Sequence, residues 1–360
     1  MAKFHGVTLV FRPAKGDFTL EFFQNFDWSI LALEQNYQQS AVLAMISQKQ
    51  LDTGIYDKFK RQFGGKWDIT SQIVTDKVLQ KFKALLLNRN LQEFDYNDKQ
   101  QCEQVVRSLM ADWDISYTLY NVLLGMYVKG GVQPWVLANR TVSDCFIGLD
   151  VSHENGVSTA GIMNIVGPNG QLIKQSAMAG ALPGEKFTDD KLREILHDTL
   201  FAYQQVMQSL PTHITIHRDG RWFENTAVLQ EVLAPKNIAF DIINVTKKPN
   251  RRMASYDAGQ NKFVTQEGRY YVRDNEALLC ATSPNERIGM AQPIKIVQVE
   301  GVLPMATVVE DIYKLSFMHI HCLNKTRLPA TIHYADLSST AYQRGQIAPR
   351  ATNLTHLPFV

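Results

Sequence analysis

Residues 144–153 read DCFIGLDVSH, an apolar run that stops on a carboxylate, Asp150, with hydroxyl and imidazole side chains just beyond it. Burying an isolated carboxylate is costly, so a strand that ends this way needs a cation, a set of donors or a metal beside it. Two more apolar runs follow at close spacing, TAGIMNIV (159–166) and QLIKQSAM (171–178), with GPNG (167–170) between them. A Pro and Gly cluster between two such runs is a hairpin turn signal. Beyond them the pattern predicts a helix from about Asp189 to Ser209 and a buried strand in HITIHRD (213–219). A helix in NTAVLQEVLA (225–234) and a strand in FDIINV (240–245) complete the series. Consecutive hairpin strands followed by strand–helix–strand alternation describe a mixed sheet with helices, a layout that presents functional groups at strand ends.

Upstream the pattern differs. Residues 1 to about 20 read as a short extended lead-in punctuated by Pro13 and Gly16. SAVLAMIS (40–47) reads as a buried strand, and GIYDKFKRQF (54–63) as an amphipathic helix with Ile55, Phe59 and Phe63 on one face. SQIVT (71–75) is a short strand. The stretch from Asp98 keeps a helical period until Gly130 and Gly131 stop it. Strand, helix, strand, helix in this order predicts a small α/β layer, and the boundary between the two halves falls near residues 136–144.

Bulk properties exclude several classes. A chain of 360 residues with 45% hydrophobic and 20% charged residues has the makeup of an ordinary globular protein. Cys102, Cys145, Cys280 and Cys322 are scattered, with no C-x-x-C pair, which argues against a zinc ribbon or a disulfide framework and fits a reducing compartment. The opening MAKFHGVTLVFRP lacks the apolar core of a secretory signal and no run reaches membrane-spanning length, so the expectation is a soluble, cytoplasmic protein with no membrane partner. A net charge of +2 says little about nucleic acid, so any such case must rest on local placement.

Three further carboxylates stand beside Asp150. Asp219 closes the strand in ITIHRDGRW, Glu185 sits in the loop ALPGEKF, and Asp336 lies in TIHYADLSS, where an extended stretch is expected to give way to a helix. Taken singly, a strand-end aspartate before glycine is a turn former or helix cap, and a loop glutamate is a solvated charge. Taken together they form an oxygen-only ligand set suited to hard divalent cations. Such a set would repel itself without them, and it is the kind that two-ion phosphodiester hydrolysis requires.

The segments GLDVS, GEKF, HRDG and HYADL, in this order and at these gaps, resemble the PIWI domain of the Argonaute family over about residues 144–360. The resemblance implies an α/β architecture: the lead-in at 1–20, a Rossmann-like MID domain at 21–140, and an RNase H-like PIWI domain with a mixed central sheet at 141–360. It implies that Asp150, Asp219 and Asp336 hold two Mg²⁺ or Mn²⁺ ions, and that Glu185 enters from a mobile loop to complete a catalytic tetrad. His153, His217 and His333 lie close to these carboxylates in sequence, but ions that favour oxygen do not need them, and structural roles are expected.

A MID domain grips the 5′ end of a guide strand. The resemblance gives this role to Tyr56, Lys60, Gln72 and Lys129: a phenol, two ammonium groups and an amide for the phosphate, with the tyrosine ring under the first base. Gly125 stands where some members carry a further lysine. The terminal carboxylate of Val360 is expected to hold one more divalent ion against that phosphate, together with Gln72. Lys247, Lys248, Arg251 and Arg252 are expected to follow the nucleic-acid backbone, and His321 falls where eukaryotic members place an arginine near the guide.

The function implied is guide-directed endonuclease cleavage of a complementary strand, with DNA or RNA as guide and target and DNA-guided DNA cleavage in prokaryotic defence preferred. The N-terminal and PAZ domains of long members have no counterpart here, so a separate chain supplying them is expected, or a short, split or truncated protein. The competing expectations are a guide-binding module that needs a partner chain and does not cut alone, and an RNase H-like nuclease or transposase without a guide. The 5′-end set argues against the last.

Overall fold

The computed structural model describes residues 3–4, 7–8, 41–52, 54–66, 70–88, 95, 98–154, 157–179, 186–282, 292–323, 327–347 and 357. The chain divides into two compact units. The first runs from Met1 to Pro134 and takes in His356–Pro358 near the C-terminus, and the second runs from Trp135 to Thr355.

In the first unit, β1 (Lys3–Phe4) and β2 (Val7–Thr8) form a minimal antiparallel pair. β3 (Ala41–Ile46) pairs in parallel with β4 (Thr70–Thr75), matching Leu43 to Gln72. Between them lie α1 (Gln48–Asp52) and α2 (Ile55–Lys60), and α2 continues into a π-helical turn at Arg61–Lys66. The apolar spacing in this segment has its expected result: Phe59 and Phe63 are buried and stack at 4.2 Å. After β4 come α3 (Asp76–Asn88), α4 (Lys99–Met110) and α5 (Trp113–Lys129). The single long helix expected from Asp98 to Gly130 is therefore two. Asp112 takes an extended backbone and its side chain accepts the Ile115 N–H at 3.0 Å, so it starts a new helix rather than continuing the old one.

The second unit is built on an eight-stranded sheet. Its strands are β5 (Cys145–Glu154), β6 (Val157–Val166), β7 (Leu172–Ala179), β8 (His213–Asp219), β9 (Ala239–Thr246), β12 (Tyr270–Arg273), β13 (Glu276–Leu279) and β14 (Ile294–Glu300), in the order β12-β13-β14-β9-β8-β5-β6-β7. A separate hairpin, β10 (Ser255–Asp257) with β11 (Lys262–Val264), precedes β12. β5, β8 and β9 run parallel and the other pairings are antiparallel, giving the expected mixed sheet. Strand β5 is longer than its apolar run. It continues past Asp150 because its pairing with β6 persists to Glu154, whereas its pairing with β8 stops at Leu149.

Helices α6 (Asp189–Met207) and α7 (Ala227–Leu233) belong to one core with Ile147, Leu149, Ile214 and Ile216. Helix α8 (Met305–Leu315) joins a second core with Val245, Leu279 and Ile296. Helix α9 (Ala330–Gln343) lies against β5 and β6. At its first turn Thr331 ties three strands together. Its carbonyl accepts from Asn164 of β6 at 3.4 Å, its hydroxyl meets His217 of β8 at 2.8 Å, and its backbone closes on Gly148 of β5. A Cβ on Gly148 would lie 2.3 Å from the Thr331 carbonyl oxygen, so only glycine allows this approach.

At the opposite end of the same strands, Ser143, His213 and Asp241 are linked at 2.9 and 2.7 Å. These are the residue types of a nucleophilic triad, but Ser143 and Asp241 are fully buried and Asp241 also accepts from the backbone of Val302 and Leu303. The trio is a structural clamp. Among the described residues no helix is long and apolar enough to cross a membrane.

Candidate metal centre and basic pocket

The register of the sheet builds the acidic cluster. Leu149 faces Arg218 across β5 and β8, so the next residues, Asp150 and Asp219, stand side by side on neighbouring parallel strands. Gly220, with φ +85°, turns the chain immediately after Asp219, a conformation other residues seldom adopt. Asp336 comes from α9, five residues beyond the Thr331 anchor. It sits in mid-helix, not at the strand-to-helix transition expected, because Pro329 starts the helix before the IHYAD segment. Carboxylate oxygens of Asp150, Asp219 and Asp336 all lie within 4.8 Å of one another.

Burial, and then the neighbouring charge of Asp219, push the Asp150 carboxyl up to about 6. The Val151 N–H at 2.9 Å only partly offsets this. A cation already answers the repulsion. The Lys247 ammonium lies 2.6 Å from Asp219 and 2.7 Å from Asp336. Burial works against its charge, but Asp219 and Asp336 prevail and hold it above the usual lysine range. An all-oxygen donor set that is short of positive charge fits hard divalent ions.

The seat of Lys247 was not foreseen. The sequence reading grouped it with Lys248, Arg251 and Arg252, which are all exposed. The parallel register of β8 and β9, visible only in the folded sheet, sets Asp219 beside Val245 and leaves Lys247 two residues on, toward the same face. Arg251 lines a cleft of about 400 Å³ with Tyr271, Arg273 and Lys295.

Glu185 lies outside the described residues, but its loop has a fixed end. Phe187 is buried and its N–H donates to Glu224 at 3.3 Å. Glu224 pairs at 3.5 Å with Arg218, the residue before Asp219, and the Arg218 guanidinium lies 5.8 Å from the Phe187 ring. His217 is buried and held neutral, pushed down to about 3 by burial. His333 bonds to His321 at 2.9 Å. The side chain of His153 lies outside the described residues.

In the first unit, Tyr56, Lys60, Gln72 and Lys129 come together. The Lys60 ammonium lies 5.9 Å from the Tyr56 ring centre and donates to the Ser71 carbonyl, next to Gln72. The Lys129 ammonium donates to the Gln72 side-chain oxygen. Both lysines are buried, at 7% and 4% exposure. Burial lowers Lys60 to about 8, and burial together with the charge of Lys60 lowers Lys129 to about 7. A Cβ at Gly125 would meet the Gln72 side-chain oxygen at 3.4 Å, an ordinary contact. Leu357 is buried, and its N–H reaches the carbonyl of Val128, the residue before Lys129, at 3.5 Å. Val360 lies outside the described residues.

A mixed sheet with three parallel strands, a helix laid across it and carboxylates from two strands and that helix is the RNase H-like architecture of Argonaute PIWI domains. The chain belongs to the Piwi domain family, whose model matches residues 41–345. It is 26% identical over 258 residues to the Argonaute protein of Thermus thermophilus, covering 71% of this chain and 35% of that protein. It is 24% identical over 247 residues to that of Aquifex aeolicus, covering 67% and 34%. The structure of Clostridium butyricum Argonaute bound to a guide DNA and a 19-mer target DNA superposes with a TM-score of 0.73 at 26% identity, over 94% of this chain and 41% of that one. Marinitoga piezophila Argonaute in complex with a 5′ OH guide RNA shares the fold at a TM-score of 0.61 and 16% identity, over 91% and 45%. The chain thus spans about a third of the length of these curated relatives.

Proposed function

We propose that this protein is a guide-directed endonuclease that cuts a complementary strand at one fixed position. The observation that carries this reading is the convergence of the Asp150, Asp219 and Asp336 carboxylates within 4.8 Å. These three residues would hold two Mg²⁺ or Mn²⁺ ions, with Glu185 completing the site from the loop anchored at Phe187. When bound, the ions supply Lewis acidity, easing deprotonation of the attacking water and neutralising charge on the departing 3′ oxygen. The P–O3′ bond breaks, leaving a 5′-phosphate on one fragment and a 3′-hydroxyl on the other. Lys247 pairs with Asp219 and Asp336, and with Lys248, Arg251 and Arg252 it would follow the nucleic-acid backbone.

Tyr56, Lys60, Gln72 and Lys129 would form the guide 5′-end pocket of a MID domain. Two ammonium groups with no carboxylate partner among the described residues suit a phosphate dianion, and the exposed Tyr56 ring suits a stacked base. The C-terminal carboxylate of Val360 would hold a further divalent ion there, a role in keeping with Leu357 beside Val128. Guide pairing reads the target sequence while the protein reads backbone shape. Likeness to an Argonaute bound to guide and target DNA favours DNA for both strands.

A single-turnover assay tests this, using a labelled complementary strand, 5′-phosphorylated or 5′-hydroxyl guides, and Mg²⁺ or Mn²⁺. One cut at a fixed distance from the guide 5′ end, absent in Asp150→Ala, is expected. Tight guide binding by folded protein with no cut would replace this reading with a guide-binding module that depends on a partner chain.

A further inference from the structure

A second cluster of metal-ligating side chains lies in the PIWI unit and takes no part in the chemistry above. His319 and His321 bracket the start of a 3₁₀ turn at Ile320–Leu323, and His333 projects from the first half of α9. One ring nitrogen from each of the three lies within 4.8 Å of the others. Nδ1 of His321 is 2.9 Å from Nε2 of His333, and the rings of His319 and His333 stack at 4.0 Å. His319 is the telling member. It is 1% exposed, and neither of its ring nitrogens makes a well-formed hydrogen bond, although the Leu328 backbone lies close enough to favour its protonated form slightly. Buried imidazoles ordinarily have a partner, and a polar atom left without one asks for an unseen ligand.

The ring chemistry narrows the choice of ligand. Burial, reinforced by the neighbouring imidazoles, lowers His319 to about 2 and His333 to about 4, so both rings are neutral across the physiological range. Neutral rings offer lone pairs to a metal and poor hydrogen-bond donation to an anion. In a tetrahedral zinc site, bonds of 2.0–2.1 Å set ligand nitrogens about 3.4 Å apart, between the 2.9 Å pair seen here and the 4.8 Å outer limit. Imidazole favours Zn²⁺, Co²⁺, Ni²⁺ and Cu²⁺, whereas Mg²⁺ prefers oxygen. Asp336, three residues beyond His333, contributes negative charge that His333 already senses.

We propose that His319, His321 and His333 form a three-histidine centre for a borderline transition-metal ion such as Zn²⁺, separate from the carboxylate centre, which fastens α9 to the 3₁₀ turn. The fourth position faces the partly exposed side of His321 and His333 and takes water. For both rings to ligate, the proton shared between them moves to the outer nitrogen of its own ring, so each stays neutral and turns a lone pair to the ion. The ion then fixes the helix that carries Asp336, one turn before that residue. The proposal does not depend on the nuclease reading.

The test uses the full chain with Asp150→Asn and Asp219→Asn, which disable the carboxylate centre. Metal-stripped protein is loaded with Zn²⁺ or Co²⁺, dialysed against millimolar Mg²⁺, and assayed for metal per chain by atomic emission and for Co²⁺ visible absorption. One retained ion with a nitrogen-ligand cobalt spectrum is expected. His321→Asn, a change at a half-buried position, should weaken binding by more than the roughly 10–100-fold that loss of a supporting residue costs. His319→Phe, which keeps the ring packing, should do the same, and circular dichroism checks the fold of both. No retained ion, or retention that His321→Asn leaves unchanged, overturns the proposal and leaves the cluster to packing or backbone contact.

Discussion

The basic pocket of the first unit and the acidic cluster of the second are mirror images in charge, and they solve the same problem differently. Each gathers like charges out of water. The acidic cluster contains its own counter-ion, Lys247, bonded to two of its three carboxylates. The basic pocket has none among the described residues: there Lys60 and Lys129 meet neutral acceptors, the Ser71 carbonyl and the Gln72 amide. The acidic site is therefore partly neutralised from within, while the basic site keeps charge that, on the proposed reading, a guide phosphate would meet, and sheds it as pH rises. Both arrangements sacrifice stability for readiness, a trade common at functional sites.

The largest effect should separate the two sites outright. Asp219→Ala is expected to lower the single-turnover cleavage rate by about 10²–10³-fold or more while guide affinity, measured by filter binding, is unchanged. Equal losses in both would mean that the sites do not divide the labour this way.

Next comes Lys129→Met. Losing a hydrogen-bonded charge should weaken a 5′-phosphorylated guide by about 10–100-fold and a 5′-hydroxyl guide much less. The same change should stabilise the free protein. Lys129 has a folded value of about 7, below its ordinary 10.5, so its charged form is penalised as pH falls below 10.5 and fully so below about 7. Urea unfolding near pH 7 should show a gain on the order of 3 kcal/mol, shrinking toward zero above pH 10.5. A loss of stability would break the comparison.

The acidic site should titrate in the opposite sense. Asp150 rises from 3.8 to about 6, so the metal-free protein is favoured below pH 4 and loses that contribution as pH climbs through 6. Asp150→Asn should therefore stabilise the metal-free protein above pH 6, by on the order of 2 kcal/mol, and not below pH 4. Mn²⁺ affinity, followed by calorimetry, should be flat above about 6 and fall about tenfold per unit below it. A pH-independent affinity would remove Asp150 from the ligand set.

The smallest effect belongs to Lys247→Met. The pair with Asp336 is partly exposed, so its worth is modest, and removing a competing cation should tighten Mn²⁺ binding only about two- to fivefold. Weaker binding would make Lys247 a support for the ions instead of their stand-in.

Asp150 and Asp219 are legible because each closes an apolar strand and both belong to an ordered set with GEKF and HYADL, and register then sets them together. Asp336 was found through the HYADL segment, but its helix was started too late because a threonine and an isoleucine read as extended until tertiary contacts overrode them. The Asp98–Gly130 helix hid its break because Asp112 fits a helical period as well as it fits a cap. Strands β10 to β13 are three or four residues long, and segments as short as YYVR and EALL leave almost no pattern to read. Lys247 and the three histidines depend on contacts between residues far apart in the chain, which a linear pattern does not carry.

Gly148 has the widest consequence for its size. Its missing methyl group sets the distance between the sheet and α9, and so acts as a gauge for the floor of the acidic cluster. Alanine there, with a Cβ 2.3 Å from the Thr331 carbonyl, would jack the helix away and carry Asp336 with it. The expected product is a folded protein that binds guide as before and no longer cuts. On the proposed reading, a single added carbon atom would turn scissors into a clamp with every acidic residue intact.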